Sequence, residues 1–213
     1  KALSPTGIAS PAGLNTFING FAGNATARTI TTGADSVASH SLVLVKDRDI
    51  VSSWYLADSL RGATETIFSD LTSAEQIQSQ GITGFTSTGF TIGNQGDVNG
   101  NTNDIISYTF VEREKFFDIV LDTGNATAKT IAHSLGTDVG CILSKNRAVS
   151  SDWAVYYHTL AVASGGLLKL NSDAGVATDT TVWNNTVATT TNFNVGTSAL
   201  TNGNTNGIVH YLF

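Results

Sequence analysis

The sequence predicts an all-β protein of two tandem β-sandwich or jelly-roll-like domains, each a copy of one ancestor. Three observations carry that expectation. First, GNATARTI at residues 23–30 returns as GNATAKTI at 124–131, changed only where Arg28 becomes Lys129. Second, the apolar runs are short and β-branched (SLVLVK, ETIFSD, FFDIVLD, WAVYY, TTVWNN, GIVHYLF), with Gly, Asn, Asp and Thr between them. That spacing is the pattern of a sandwich. Third, only 13 % of residues are charged, about half the usual quarter. The polar surface must therefore be built from Thr, Ser, Asn and Gly.

Followed outward, the echo becomes a duplication. LVLVKDR (42–48) matches CILSKNR (141–147), and Ser52-Ser53-Trp54 matches Ser150-Ser151-Asp152-Trp153, the second copy reading as one residue longer. FTIGNQGDVNGNTNDIISYTF (90–110) lies over FNVGTSALTNGNTNGIVHYLF (193–213) without a gap, including the whole of NGNTN. The order is kept, and the offset drifts only from 99 to 103 residues.

The chain therefore divides into an extended N-terminal arm over 1–15, a first repeat over 16–113 and a second over 116–213. The arm, KALSPTGIASPAGLN, holds both prolines and repeats nothing. The hydrophilic Glu112-Arg113-Glu114 marks the joint and leaves almost no linker, so a fairly fixed angle between domains is expected. Within the repeats, Ile106 and Tyr108, like Val155 and Tyr157, alternate with the period of a strand buried on one face. Thr72-Ser-Ala-Glu75 followed by QIQSQG has capping-box spacing and a closing Gly81, the strongest helix candidate. Its counterpart SDAGVAT has no helical character. Asn-Gly in NGNTN predicts a turn with positive φ at both positions.

Composition excludes several classes. The net charge is −6 and no dense Lys/Arg cluster occurs, against nucleic-acid binding, which needs a basic face. No apolar run approaches the ~20 residues that span a bilayer. One cysteine makes no internal bridge, and Cys141 reads as a small buried hydrophobe. The chain starts at Lys1 without methionine, which fits a processed product or a piece of something longer.

Chemistry-bearing motifs are few. GDVNGNTND (96–104) alternates oxygen ligands at Asp97, Asn99, Asn101, Asn103 and Asp104. A calcium loop, however, needs Gly at position six and Glu at position twelve, where this chain has Thr102 and Tyr108. The second copy keeps NGNTN and loses both aspartates, so the shared constraint reads as conformational, with no metal or cofactor expected. His40, His133, His158 and His210 have no histidine counterparts and read as surface or edge-strand residues without an acid–base partner. The retained Lys46/Arg48 and Lys145/Arg147, with Trp54, Trp153, Tyr156 and Tyr157 nearby, admit two readings. One is a ligand patch of stacking rings and cations for an acidic sugar; the other is architecture, a core tryptophan with cations solvating a strand end. The sequons at Asn24, Asn125 and Asn184 could accept glycans, but in GNATA they more simply supply a turn.

DTGNATAKTIAHSLG (122–136), CILSK (141–145), WAVYYHTL (153–160), LKLNSDA (168–174), VWNNT (182–186), FNVG and VHYLF form a series. It resembles a module of tailed-bacteriophage structural proteins, those of marine and cyanobacterial phages above all. The first copy is more diverged, with TTGADSV in place of HSLG and no WNNT. The resemblance implies a virion setting, capsid decoration or tail fibre, with other virion proteins as partners and a homo-oligomer as the expected state. It transfers no catalytic residue. The competing expectation is a carbohydrate-binding adhesin module recognising a host surface glycan; a hydrolase of surface polysaccharide is a third.

Overall fold

The computed structural model describes residues 15–160 and 165–213; the arm expected over 1–15 lies outside them apart from Asn15. The chain forms two units, one of Lys1–Ser69 with Gln76–Glu112 and one of Asp70–Glu75 with Arg113–Phe213. Both are nearly all β and β-sandwich-like, and among the described residues every strand pairing is antiparallel.

Among the described residues the first unit runs β1 (Thr16–Ala22), β2 (Arg28–Thr31), β3 (Ser41–Asp47), β4 (Tyr55–Asp58), β5 (Glu65–Phe68), β6 (Gln76–Ile77), β7 (Ile82–Thr86), β8 (Gly89–Ile92), the one-turn helix α1 (Gly96–Asn99) and β9 (Asp104–Val111). One sheet has the order β1-β9-β3-β4-β5-β6, the other β2-β8-β7. The core between them joins Val43, Val45, Tyr55, Ala57, Phe68 and Ile105 to Ile30, Phe90 and Ile92. Strand β3 explains why: SLVLVKD puts Val43 and Val45 on one face, where β-branched side chains fit a pleated surface.

The second unit repeats this with β10 (Asp118–Thr123), β11 (Lys129–Ala132), β12 (Cys141–Asn146), β13 (Ala154–Tyr157), β14 (Gly166–Lys169), β15 (Ala177–Thr178), β16 (Asn192–Val195), α2 (Ala199–Asn202) and β17 (Gly207–Leu212). The large sheet has the matching order β10-β17-β12-β13-β14-β15, opposite β11-β16. Where the first unit has β7, the second has a turn through Trp183, Asn184 and Asn185, the two asparagines at φ 51°. Trp183 is fully buried there, edge-on to Tyr156 at 5.7 Å.

Four expectations are corrected. Residues 72–81 are not a helix: Gln76 and Ile77 pair with Thr66 and Glu65 as β6, and Glu75 is drawn into an ion pair with Arg147 instead of capping. Tertiary contacts override the local capping signal. Asn-Gly does not take positive φ; Gly100 lies at φ −54° and Gly203 at −57°, and the left-handed residues are Thr102 and Thr205. The tight turn is centred later, on 101–102 and 204–205, closed by Asn103 N–H on the Gly100 carbonyl and Asn206 N–H on that of Gly203. No residue is inserted before Trp153, because 45 pairs with 55 in one unit and 144 with 154 in the other. Ser52 therefore corresponds to Ser151, and Ser53 to Asp152. In β9 the alternation is present, but the fully buried residues are Ile105, Ser107 and Thr109, while Ile106 and Tyr108 are half-buried on the opposite face.

Candidate functional site

The duplicated octapeptide makes one structural node in each unit. Ala25 and Ala126 sit at φ 52° and 54°, so GNATA turns sharply. Asn24 Oδ1 accepts from Thr26 N–H, and Asn125 Oδ1 from Thr127 N–H, the Asx turn those asparagines supply. Opposite each turn a fully buried asparagine closes the node. Asn99 Nδ2 donates to the Thr26 and Gly93 carbonyls, both at 2.8 Å, while its Oδ1 accepts from Asn24 N–H at 3.0 Å. Asn202 does the same to Thr127 and Gly196 at 2.8 and 2.6 Å, accepting from Asn125 N–H at 2.8 Å.

Gly23 and Gly124 let the two strands of the node approach. A Cβ there would lie 1.9 Å from the Gly100 carbonyl oxygen, or 2.0 Å from that of Gly203. Even the one difference between the octapeptides is conservative in geometry. Arg28 donates to the Ala22 carbonyl, and Lys129 donates to the Thr123 carbonyl at 2.7 Å. Both cations reach back to the last residue of the preceding strand. NGNTN and GNATA recur because they are two halves of one hydrogen-bonded device.

The same packing draws the oxygen-bearing side chains of 96–104 to separate partners. Asp97 accepts from Tyr55 Oη at 2.8 Å, Asn99 faces backbone, and Asn103 donates to Asp47 at 2.7 Å, so these side chains do not converge. Burial, with the Asp97 hydrogen bond, pushes the Tyr55 phenol well above its ordinary range. Among the described residues no three His, Cys, Asp or Glu side chains gather where they could hold an ion.

The eight candidate ligand residues separate by burial. Trp153 and Tyr156 are core residues: Trp153 stacks on Tyr211 at 6.4 Å, and the Tyr156 hydroxyl accepts from Ala188 N–H at 3.1 Å. Neither offers a ring face to a ligand. Trp54 is half-buried and tilted against Tyr108 at 5.9 Å; Tyr157 is exposed beside His158. Lys46 is half-buried and bonded to its own connection, at Ser52 Oγ (3.0 Å) and the Ile50 carbonyl (3.3 Å), while Arg48 is exposed. Lys145 is fully buried, its ammonium held by the Thr72 carbonyl (2.9 Å) and the Ser151 carbonyl. Burial lowers its pKa to about 8, with the Asp152 charge acting the other way. Arg147 forms a bidentate pair with Glu75, Nε to Oε2 at 2.8 Å and Nη2 to Oε1 at 2.7 Å. The residues alike in the two copies are thus unlike in setting, and they make no common stacking surface.

His210 departs from the expected surface position. It lies in β17, fully buried, with Nδ1 2.6 Å from Ser144 Oγ and its ring edge-on to Phe193 at 4.9 Å. Burial, helped by the Lys129 charge, pushes its pKa down to about 3. Its counterpart is Ser107, buried in β9 and bonded to the Asn19 carbonyl at 3.3 Å. His40 and His158 are exposed and His133 is half-buried. Cys141 is half-buried on β12, its thiol pKa raised by burial.

Sequence reasoning read Glu75 as a helix cap, not as the partner of Arg147, and missed Asp47 as the partner of Asn103. The Glu75 position is Val176 in the second copy, so duplication gave no signal there; Asp47 was visible only as the neighbour of a retained Lys-x-Arg.

The family described as a domain of unknown function, DUF7483, matches twice, over residues 15–115 and 105–213. The chain belongs to the DUF7483 family. The two matches fall on the two copies, so each DUF7483 repeat is one β-sandwich-like fold with its own GNATA node. No curated protein matches the chain. No solved structure matches it.

The placement of the three tryptophans gives a direct expectation. Trp153 and Trp183 are buried and Trp54 is half-buried. Acrylamide should therefore quench a minor part of the native fluorescence, and Trp54→Phe should remove most of that quenchable part.

Proposed function

We infer that this DUF7483 pair is a non-enzymatic structural protein of a tailed-phage virion, displayed on the particle as capsid decoration or as part of a fibre. The observation that carries the reading is what duplication kept. The retained residues, Gly23/Gly124, Asn24/Asn125 and Asn99/Asn202, hold backbone to backbone. The candidates for acid–base or metal chemistry, His158, His210 and Asp97, differ between copies. A scaffold repeated without repeated chemistry acts by shape. The low charge and the Thr/Ser/Asn surface suit a particle exterior, and the phage-like series over 122–213 supports the setting.

The test is localisation. An antibody to the chain, gold-labelled and imaged on intact particles, should mark regular capsid positions or the fibres. Particles that never bind it, while the protein is abundant in the infected lysate, would overturn the reading.

A second reading, a carbohydrate-binding adhesin module, is favoured by the exposed Tyr157 ring, whose centroid lies 5.1 Å from that of His158. Saturable binding on a glycan array, lost in Tyr157→Ala and retained in Trp54→Phe, would favour it; flat responses would set it aside.

A further inference from the structure

The second unit takes up a segment of the first repeat's β5–β6 hairpin. Asp70–Glu75 belongs to that unit and lies along the connection 145–151. Four contacts define the seat. Lys145 Nζ and Ser151 N–H both donate to the Thr72 carbonyl, at 2.9 and 2.8 Å. Glu75 N–H donates to the Arg147 carbonyl at 2.9 Å, and the Glu75 carboxylate receives the Arg147 fork. Ser150 Oγ adds a 3.3 Å bond to Thr72 Oγ1. The seat reads a Thr-x-x-Glu segment: a backbone carbonyl, then a carboxylate three residues on. A planar guanidinium fork selects the carboxylate.

The first unit carries the corresponding residues at 46–52, with the Lys46 ammonium turned onto its own connection, at the Asp47 and Ile50 carbonyls and Ser52 Oγ. The equal register places Lys46, Arg48 and Ser52 on Lys145, Arg147 and Ser151. The connections are built alike: Arg48 N–H donates to the Asp104 carbonyl and Arg147 N–H to that of Gly207, both at 2.9 Å. Asp49 N–H bonds to Asp47 Oδ1 at 2.9 Å, as Ala148 N–H does to Asn146 Oδ1 at 3.0 Å. Among the described residues the Arg48 guanidinium has no hydrogen-bond or ion-pair partner. Val51, at the position of Ser150, is 106 % exposed, and Ile50 is 43 % exposed.

We propose that 46–52 is a docking site for the acidic β5–β6 loop of another DUF7483 repeat, one that presents Thr-x-x-Glu as residues 72–75 do. The occupant follows from chemistry. Residues 1–14 contain no Asp or Glu and cannot supply the carboxylate. The matching loop of a second copy has Val176 where Glu75 stands and Asp173 where Thr72 stands. A repeat that keeps the glutamate satisfies Arg48 and covers Val51 at once. The arrangement makes association of DUF7483 repeats directional: each seat accepts a loop from a neighbouring repeat.

The probe is a backbone-cyclised peptide of residues 65–77, titrated into the isotope-labelled full chain and followed by NMR. Saturable shifts at the amides of Arg48, Val51 and Ser52 are expected at peptide concentrations up to about 1 mM. The same peptide with Glu75→Gln should bind about tenfold more weakly, and Arg48→Ala in the full chain should abolish the shifts. In a full chain carrying Glu75→Ala, the unmodified peptide should also shift Arg147. A peptide that leaves Arg48 unshifted in either chain overturns the proposal, as does equal binding of the Glu75→Gln peptide. Self-association of the bare chain in sedimentation, abolished by Arg48→Glu, would give the site to a second copy's 171–176 loop and overturn it equally.

Discussion

Asn202→Ala is expected to cost the second unit roughly 2 to 4 kcal/mol, among the largest effects of any single polar truncation in this chain. The side chain supplies three hydrogen bonds that tie α2 to the 124–128 turn and to the end of β16. Its removal orphans the Gly196 carbonyl in a buried place, and an unsatisfied buried group costs about 1 to 3 kcal/mol. The Asn125 N–H and the Thr127 carbonyl lie nearer water and recover part of their loss. Asn202→Asp separates hydrogen bonding from size. It keeps the shape but turns a carboxylate oxygen toward two carbonyls, so it should destabilise at least as much at pH 7 and recover partly on acidification. Gly124→Ala should be as severe by another route, since its Cβ would meet a backbone oxygen that no rotamer can move. Urea titration followed by hydrogen exchange at β10 and β17 reads these losses. Wild-type exchange in all three variants would mean that the node does not hold the fold together.

These expectations also show how far the sequence carried. The two copies of GNATA and NGNTN were plain in the letters, and so was their conformational character, because the aspartates that a metal would need survive in one copy only. The letters could not say that the two motifs meet. Asn99 reaches Thr26 across 73 residues, and no local rule connects such positions. The same blindness produced the mistaken helix. Thr72–Glu75 has capping-box spacing, but its carbonyl and carboxylate are claimed by Lys145 and Arg147, and Gln76 and Ile77 are claimed by β5. Retention of Trp54 as Trp153 likewise hid a difference in burial. Both tryptophans precede the equivalent strand, yet only Trp153 is sealed, against Tyr211. Similarity between copies identified the frame, whereas divergence identified what each copy does with it: Glu75 against Val176, and His210 against Ser107.

His210 makes the second unit acid-labile in a way the first is not. Its ordinary pKa of 6.5 falls to about 3 in the folded protein, chiefly because burial disfavours the imidazolium and secondarily because Lys129 repels it. Above pH 6.5 the ring is neutral both folded and unfolded, and it makes no pH-dependent contribution. Between 6.5 and 3 the unfolded chain takes up a proton that the native chain refuses. Unfolding therefore becomes easier as pH falls, and the loss levels off only below pH 3. At one pH unit per 1.36 kcal/mol, the loss is about 3 kcal/mol at pH 4.5 and about 4 kcal/mol at pH 3. His210→Gln removes the titration while leaving a polar group near Ser144. Measured between pH 6.5 and 4.5, its exchange-derived stability at β17 should fall by about 2 kcal/mol less than that of the wild type. Stability at β9, which has Ser107 at the equivalent position, should be unchanged by the substitution. In the wild type, the His210 ring resonances should keep their neutral shifts to near pH 3. A ring that titrates near 6.5 in the native state would mean that water reaches it, and the predicted acid sensitivity would vanish with the burial that causes it.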